Sequence, residues 1–170
     1  MDFEDLVRSS LDLAVDELIT PDPQAQPDPG DHQPLVMAAV VGFAGDNVRG
    51  TLGVAANLAG HERVAGLFNM SLDDPTADEA LGELANLLLG HIKRTWGKRN
   101  IHVSLATPLL VRGLAIEVQG RRDGLWIERS VEEGSSVLTA WFDAQPSPDL
   151  VVGEESADDE TADQGEALFF

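Results

Sequence analysis

The sequence contains no cysteine, so disulfides, zinc–thiolate sites and thiol nucleophiles are excluded outright. Cations are scarce as well. Only 11 Lys and Arg stand against 30 Asp and Glu, a formal net charge of −19. Such a surface repels nucleic acid and anionic lipid, because phosphate contacts need clustered Lys and Arg; neither is expected as a partner. Long hydrophobic runs are missing too. The longest, Leu35 to Gly45, falls short of the ~20 residues that cross a bilayer. The opening Met1-Asp2-Phe3-Glu4-Asp5 lacks the basic and apolar blocks of a signal peptide. A cytoplasmic protein with no membrane contact is the expectation. The four histidines, His32, His61, His91 and His102, are scattered without ligand spacing, and His61-Glu62 is not followed by the second histidine of a zincin. No metal site is expected. The glycines between Gly42 and Gly53 come without Gly-Lys-Ser/Thr, so they make no phosphate loop and suit hairpin turning instead. Ser135-Ser136 has no nucleophile context.

What is present is enough for one core. The chain has 170 residues, 43% of them hydrophobic, a size that buries roughly two-thirds of its unfolded surface. The acidity belongs to the ends. Residues 1–34 hold nine acids against Arg8, and residues 146–170 hold eight acids and no base. Phe3, Leu6, Val7, Leu11, Ala14 and Leu18 recur at helical spacing and predict an amphipathic helix within residues 1–20. A linker or loop with five prolines follows over 21–34, and the main domain is expected over 35–145. There, Leu35–Phe43 and Val48–Ala56 read as a hairpin turning at Gly45-Asp46-Asn47. The first of these strands is continuously apolar, as in a strand covered on both faces. His61–Met70 reads as a short helix. A long helix then runs from Thr76 to Trp96, its start marked by Thr76-Ala77-Asp78-Glu79, the pattern of a capping box. Residues 101–105, 114–119, 125–131 and 136–142 read as further strands. From 146 to 170 the chain is rich in Asp, Glu, Ser and Ala and is expected to be disordered, apart from the terminal Leu168-Phe169-Phe170. The fold class is α/β, with a largely antiparallel sheet and helices packed on it.

The long helix departs from its own logic in three places. Between Ala80 and Gly90 strong helix formers dominate, except for Gly82, Asn86 and Gly90. Asn costs several tenths of a kcal/mol against Ala in a helix interior, and each Gly about 1 kcal/mol. Glu83 and Asn86 are i, i+3 neighbours and share a face, with Glu79 and Gly90 near the same stripe. Leu81, Leu84, Ala85, Leu88 and Ile92 form the opposite, buried one. His91 points away from the Asn86 stripe. Glycine on an exposed stripe lets another backbone approach, whereas Gly82 would equally serve to relieve crowding against the sheet. An exposed Glu and Asn are, taken alone, most simply a solvated face.

The run Glu79-Ala80-Leu81-Gly82-Glu83-Leu84-Ala85-Asn86-Leu87-Leu88-Leu89-Gly90 resembles the active-site helix of the CheC/CheX/FliY family of chemotaxis phosphatases. That family's pattern is a Glu, two residues, an Asn, and a proline some twenty residues later; the matching positions are Glu83, Asn86 and Pro108. The Gly45 to Thr51 hairpin and the stretch from Thr107-Pro108 to Gly113 are similar to the family as well. A single Glu-x-x-Asn helix is present, which is closer to CheX than to the two-helix CheC. Glu79 departs from the pattern, since the family commonly has Asp or Ser four residues before its glutamate. The resemblance implies a phosphatase acting on a phosphorylated CheY-like response regulator. It also implies a homodimer formed through sheet edges, and Mg²⁺ held by the partner regulator with no cofactor in this chain. The alternative is a binding module of the same fold, an adaptor that recognises a receiver without turning it over.

The chemistry of the two side chains agrees with that implication. An acyl phosphate is already reactive, so its hydrolysis mainly needs a water held in line with phosphorus. A neutral amide such as that of Asn86 accepts a hydrogen bond from the water without repelling the phosphoryl oxygens. Glu83, one turn away, suits a charge-assisted hydrogen bond to a lysine of the regulator, which would set the register of Asn86.

Overall fold

The apolar runs sort themselves into faces. The computed structural model describes residues 1–19, 33–121 and 123–155. Strand β1 (Met37–Ala44) pairs along its whole length with β2 (Val48–Ala56), β2 with β6 (Ser136–Pro146), and β6 with β5 (Leu125–Glu133), all antiparallel. On the outer side of β1 lie two short strands, β3 (Ser104–Leu105) and β4 (Leu109–Arg112). Together they make one six-stranded sheet. Met37, Ala39, Val41 and Phe43 join Leu52, Val54, Leu138, Ala140 and Phe142 in the main core. The alternate residues Ala38, Ala55 and Trp141 form a second cluster on the other face, with Val40 and Trp126 packed against it. Trp126 stacks on Trp141 at 6.2 Å between centroids, and Gly53 is glycine because a Cβ there would overlap the Trp141 indole. The first strand is therefore covered on both faces, as its continuous apolarity predicts.

Helices α1 (Phe3–Leu18), α2 (Leu58–Leu67) and α3 (Glu79–Gly97) complete the layer over the main core. The Asp2 carboxylate caps α1 by accepting from the Asp5 amide at 2.8 Å, and Leu6, Val7, Leu11, Ala14 and Val15 point into the core shared with α3. α2 begins at Leu58, three residues before the pattern suggests, because the buried Asn57 is its cap. The Asn57 Oδ1 accepts from the amides of Gly60 (2.8 Å) and Val137 (3.0 Å), and its Nδ2 donates to the Ser135 carbonyl (2.6 Å). One side chain thus starts the helix and ties it to the β5–β6 turn.

Three expectations need correction. The strand expected at 114–119 is absent: the ladder residues are 109–112, and the chain beyond leaves the edge and crosses the second face, where Ile116 and Val118 pack on the tryptophan cluster. Alternation there reports one-sided burial of an extended segment, not a ladder. The capping box does not form, because the Thr76 hydroxyl and amide both donate to the Asp74 carboxylate, at 2.7 and 2.9 Å. These bonds also hold the exposed Asp74 carboxyl below its ordinary pKa. The residue at the α3 N-cap is Asp78, whose side chain makes no capping bond. Residues 147–155, expected to be disordered, fold back instead. Leu150 and Val152 pack against the main core, and the Gly153 amide donates to the Arg99 carbonyl at 3.2 Å. The proline-rich 20–32 and the tail 156–170, including Leu168-Phe169-Phe170, lie outside the described residues.

Candidate functional site on helix α3

Helix α3 is amphipathic, and its two sides are sharply different. Leu81, Leu84, Ala85, Leu88, Leu89, Ile92 and Trp96 are fully buried. Glu79, Glu83, Leu87, Lys93 and Arg94 are exposed, and Asn86 and Gly90 are half-exposed. Glu83 and Asn86 therefore stand side by side on the outward stripe, as their spacing predicts. Neither makes a hydrogen bond or ion pair to another described residue, so both side chains are free to meet something outside.

The helix is held at both ends. At its start, Asp78 forms an ion pair with Arg112 of β4 and lies 3.6 Å from the His61 Nε2 of α2. That same nitrogen is 3.1 Å from the Ala77 carbonyl. At its far end, Trp96 is wedged among Phe3, Phe43 and Phe142, with ring centroids 5.4, 5.8 and 5.3 Å away. Roll and register of the helix are thereby set by contacts remote from the exposed stripe. His91 turns toward α1, its Nδ1 3.2 Å from Glu17, and takes no part in the stripe.

Pro108 reaches this helix through a fault in the edge strand. Leu105 lies opposite Phe43, and Leu109 opposite Val40, so three residues, Ala106, Thr107 and Pro108, face two on β1. This is a β-bulge. Pro108 has no amide to give the ladder; the Ala106 amide reaches the Gly42 carbonyl at 2.8 Å instead. The bulge brings the proline ring against α3. A Cβ on Gly82 would lie 3.4 Å from the Pro108 Cβ and 3.5 Å from a Leu110 methyl. Gly82 is buried, so of its two readings the one that survives is close fit against the sheet edge. Leu105 and Leu110, each 37% exposed, share the helix side of that edge because the bulge shifts the alternation by one residue.

Among the described residues no group of three or more His, Asp or Glu side chains is placed to hold a metal ion, and no helix is long and apolar enough to cross a membrane. The Asp78–Arg112–His61 clamp carried no signal in the sequence, since its members come from three separate elements. Pro108 and Gly82 were each visible, but their contact was not.

The family model described as chemotaxis phosphatase CheX matches residues 37–129, a span that holds the hairpin, α3, Glu83, Asn86 and Pro108. The chain belongs to the CheX family. Solved CheX-family structures share its fold. A CheX from Desulfovibrio desulfuricans superposes with a TM-score of 0.64 at 18% identity, covering 82% of this chain and 99% of the other. A CheX–CheY–BeF3–Mg²⁺ complex from Borrelia burgdorferi gives 0.62 at 13% identity, covering 85% and 98%. A chemotactic CheC-like protein from Shewanella oneidensis gives 0.62 at 16%, covering 84% and 97%. A comparison with curated proteins finds no match. The likeness to the solved structures establishes the antiparallel sheet with its helical layer as the CheX fold, carried here by a single Glu-x-x-Asn helix.

Proposed function

We propose that this chain hydrolyses the aspartyl phosphate of a CheY-like response regulator, using Asn86 to position the attacking water and Glu83 to set the register of docking. The observation that carries the reading is the pairing of Glu83 and Asn86 on the outward stripe of a helix clamped at both ends, with neither side chain engaged inside the protein. A rigid helix presenting an uncommitted amide is what in-line hydrolysis of a reactive acyl phosphate requires. Asn86 accepts a hydrogen bond from the water and adds no charge beside the phosphoryl oxygens. Glu83 accepts a charge-assisted hydrogen bond from a lysine of the regulator. Leu87, 47% exposed, and Leu110 at the neighbouring edge offer apolar contact around the polar pair. The Mg²⁺ that supports the chemistry belongs to the regulator, and this chain supplies no cofactor of its own. The Borrelia burgdorferi relative is seen together with CheY, which supports a receiver domain as partner and a cytoplasmic setting. Phosphate release measured with a panel of phosphorylated receiver domains tests the proposal. Acceleration of at least one is expected; binding without acceleration of any would leave the adaptor reading in its place.

The same proposal includes a homodimer through the outer edge formed by β3 and β4. Leu109 is 65% exposed, Val111 38% and Leu114 95%, all on or beside that edge, which no further strand covers among the described residues. The opposite edge, β5, shows Glu128, Arg129 and Glu132 to solvent, charges that discourage strand addition. Sedimentation of wild type and of Leu109→Glu with Leu114→Glu decides this; a dimer that survives both substitutions would exclude the β4 edge.

A further inference from the structure

Gly90 is the least explained residue of the site helix. It lies in the interior of α3, seven residues before the helix ends at Gly97, so helix termination does not account for it. Internal packing does not account for it either. A Cβ at Gly90 would meet nothing within 4 Å, in contrast to Gly82, where it would come into van der Waals contact with Pro108 and Leu110. Gly66 and Gly97 are equally open, but both sit in the last turn of a helix, where glycine is ordinary. At Gly90 the helix gives up about 1 kcal/mol relative to alanine with no compensation inside the protein.

The position of this bare backbone is informative. Gly90 is one turn beyond Asn86 on the same stripe, and Lys93 is two turns beyond Asn86, about 10 Å along the axis. The stripe therefore carries an amide, a gap without a side chain, and then an exposed cation. Lys93, one of only two lysines in the sequence, and the adjacent Arg94 are both exposed, so two cations stand beyond the gap although the sequence as a whole carries a net charge of −19.

We infer that Gly90 is a notch in which the backbone of the phosphorylated receiver seats itself against α3, between Asn86 and Lys93. The inference rests on the phosphatase reading above and extends its docking surface one turn past the water-positioning amide. Close approach at Gly90 lets Asn86 reach the phosphoryl group, and Lys93 offsets the negative charge that the receiver brings. Any side chain at position 90 would hold the two surfaces apart.

The test separates helix stability from docking, because the two respond with opposite sign. Gly90→Ala and Gly90→Leu are measured by thermal unfolding and by phosphate release with a receiver that the wild type accelerates. Both variants improve helix propensity, so Tm is expected to rise by about 2–4 °C. Meanwhile kcat/KM falls about five- to tenfold for alanine and further for leucine, as expected for overfilling a fitted surface. Raised Tm with kcat/KM within twofold of wild type in both variants would overturn the notch and leave the phosphatase reading standing. A wild type that neither binds nor dephosphorylates any receiver would overturn both. If the wild type binds without turnover, the same variants are compared by dissociation constant, with the same fold-changes expected and an unchanged constant overturning the notch.

Discussion

The outward aim of Asn86 depends on a residue ten positions away and wholly buried. Trp96 is 0% exposed and touches three phenylalanine rings, from α1, β1 and β6. Truncation to alanine removes the whole indole and leaves a cavity in a place where three elements meet, a loss of about 4 kcal/mol. Phenylalanine is a different case. Its ring keeps the aromatic contacts, and the lost transfer free energy together with a residual cavity of roughly 40 Å³ costs about 2 kcal/mol. Against this stands the Trp96 Nε1, which is buried without a hydrogen-bond partner. Removing an unsatisfied donor returns on the order of 1 kcal/mol. Trp96→Phe should therefore lose only about 1 kcal/mol, while Trp96→Ala should leave a fold of ordinary stability marginal. Urea unfolding of both variants gives the two free energies, and the kcat/KM of Trp96→Phe shows whether α3 has kept its roll. A loss of 3 kcal/mol or more in Trp96→Phe would mean instead that the indole N–H is satisfied or that the pocket cannot close.

Glu83→Ala should cost less than about 0.5 kcal/mol in stability, as an exposed residue with no intramolecular partner, yet lower kcat/KM about 10- to 100-fold through loss of a charge-assisted hydrogen bond. Titration of the receiver with the variant shows the loss in affinity, and unchanged affinity would remove Glu83 from the interface. At Gly82 the contacts with Pro108 and Leu110 are at van der Waals distance already, so Gly82→Ala should be tolerated within about 1 kcal/mol, whereas Gly82→Leu should cost about 2–3 kcal/mol by overpacking. Thermal unfolding distinguishes these, and equal tolerance of both would show that Pro108 does not press on the helix.

The architecture and the site helix were largely readable from the chain. The hairpin declares itself through Gly45-Asp46-Asn47, and α3 through its leucines, while the face shared by Glu83 and Asn86 follows from spacing alone. What escaped was one local competition and several long-range contacts. Thr76 and Glu79 form a capping box by pattern, but Asp74 captures the Thr76 hydroxyl, a competition between local hydrogen bonds that pattern does not rank. Residues 114–119 alternate like a strand because Ile116 and Val118 face an apolar surface, and no local signal says whether a ladder partner is within reach. The bulge at Ala106 to Pro108 is a register slip, visible only once both flanking pairings with β1 are known. The pair Asp78 and Arg112 lies on elements that meet only after the sheet has formed. Glu79, freed from the capping role, returns to the exposed stripe beside Glu83.

Everything proposed for the site turns on Asn86 holding the attacking water. Asn86→Ala improves helix propensity by several tenths of a kcal/mol, so the variant should fold at least as well as the wild type. Phosphate release from a phosphorylated receiver, measured together with affinity for that receiver, tests the claim directly. Loss of acceleration on the order of 100-fold, with affinity changed less than about threefold because Glu83 remains in place, is the predicted result. An Asn86→Ala variant that still accelerates dephosphorylation at the wild-type rate would contradict it.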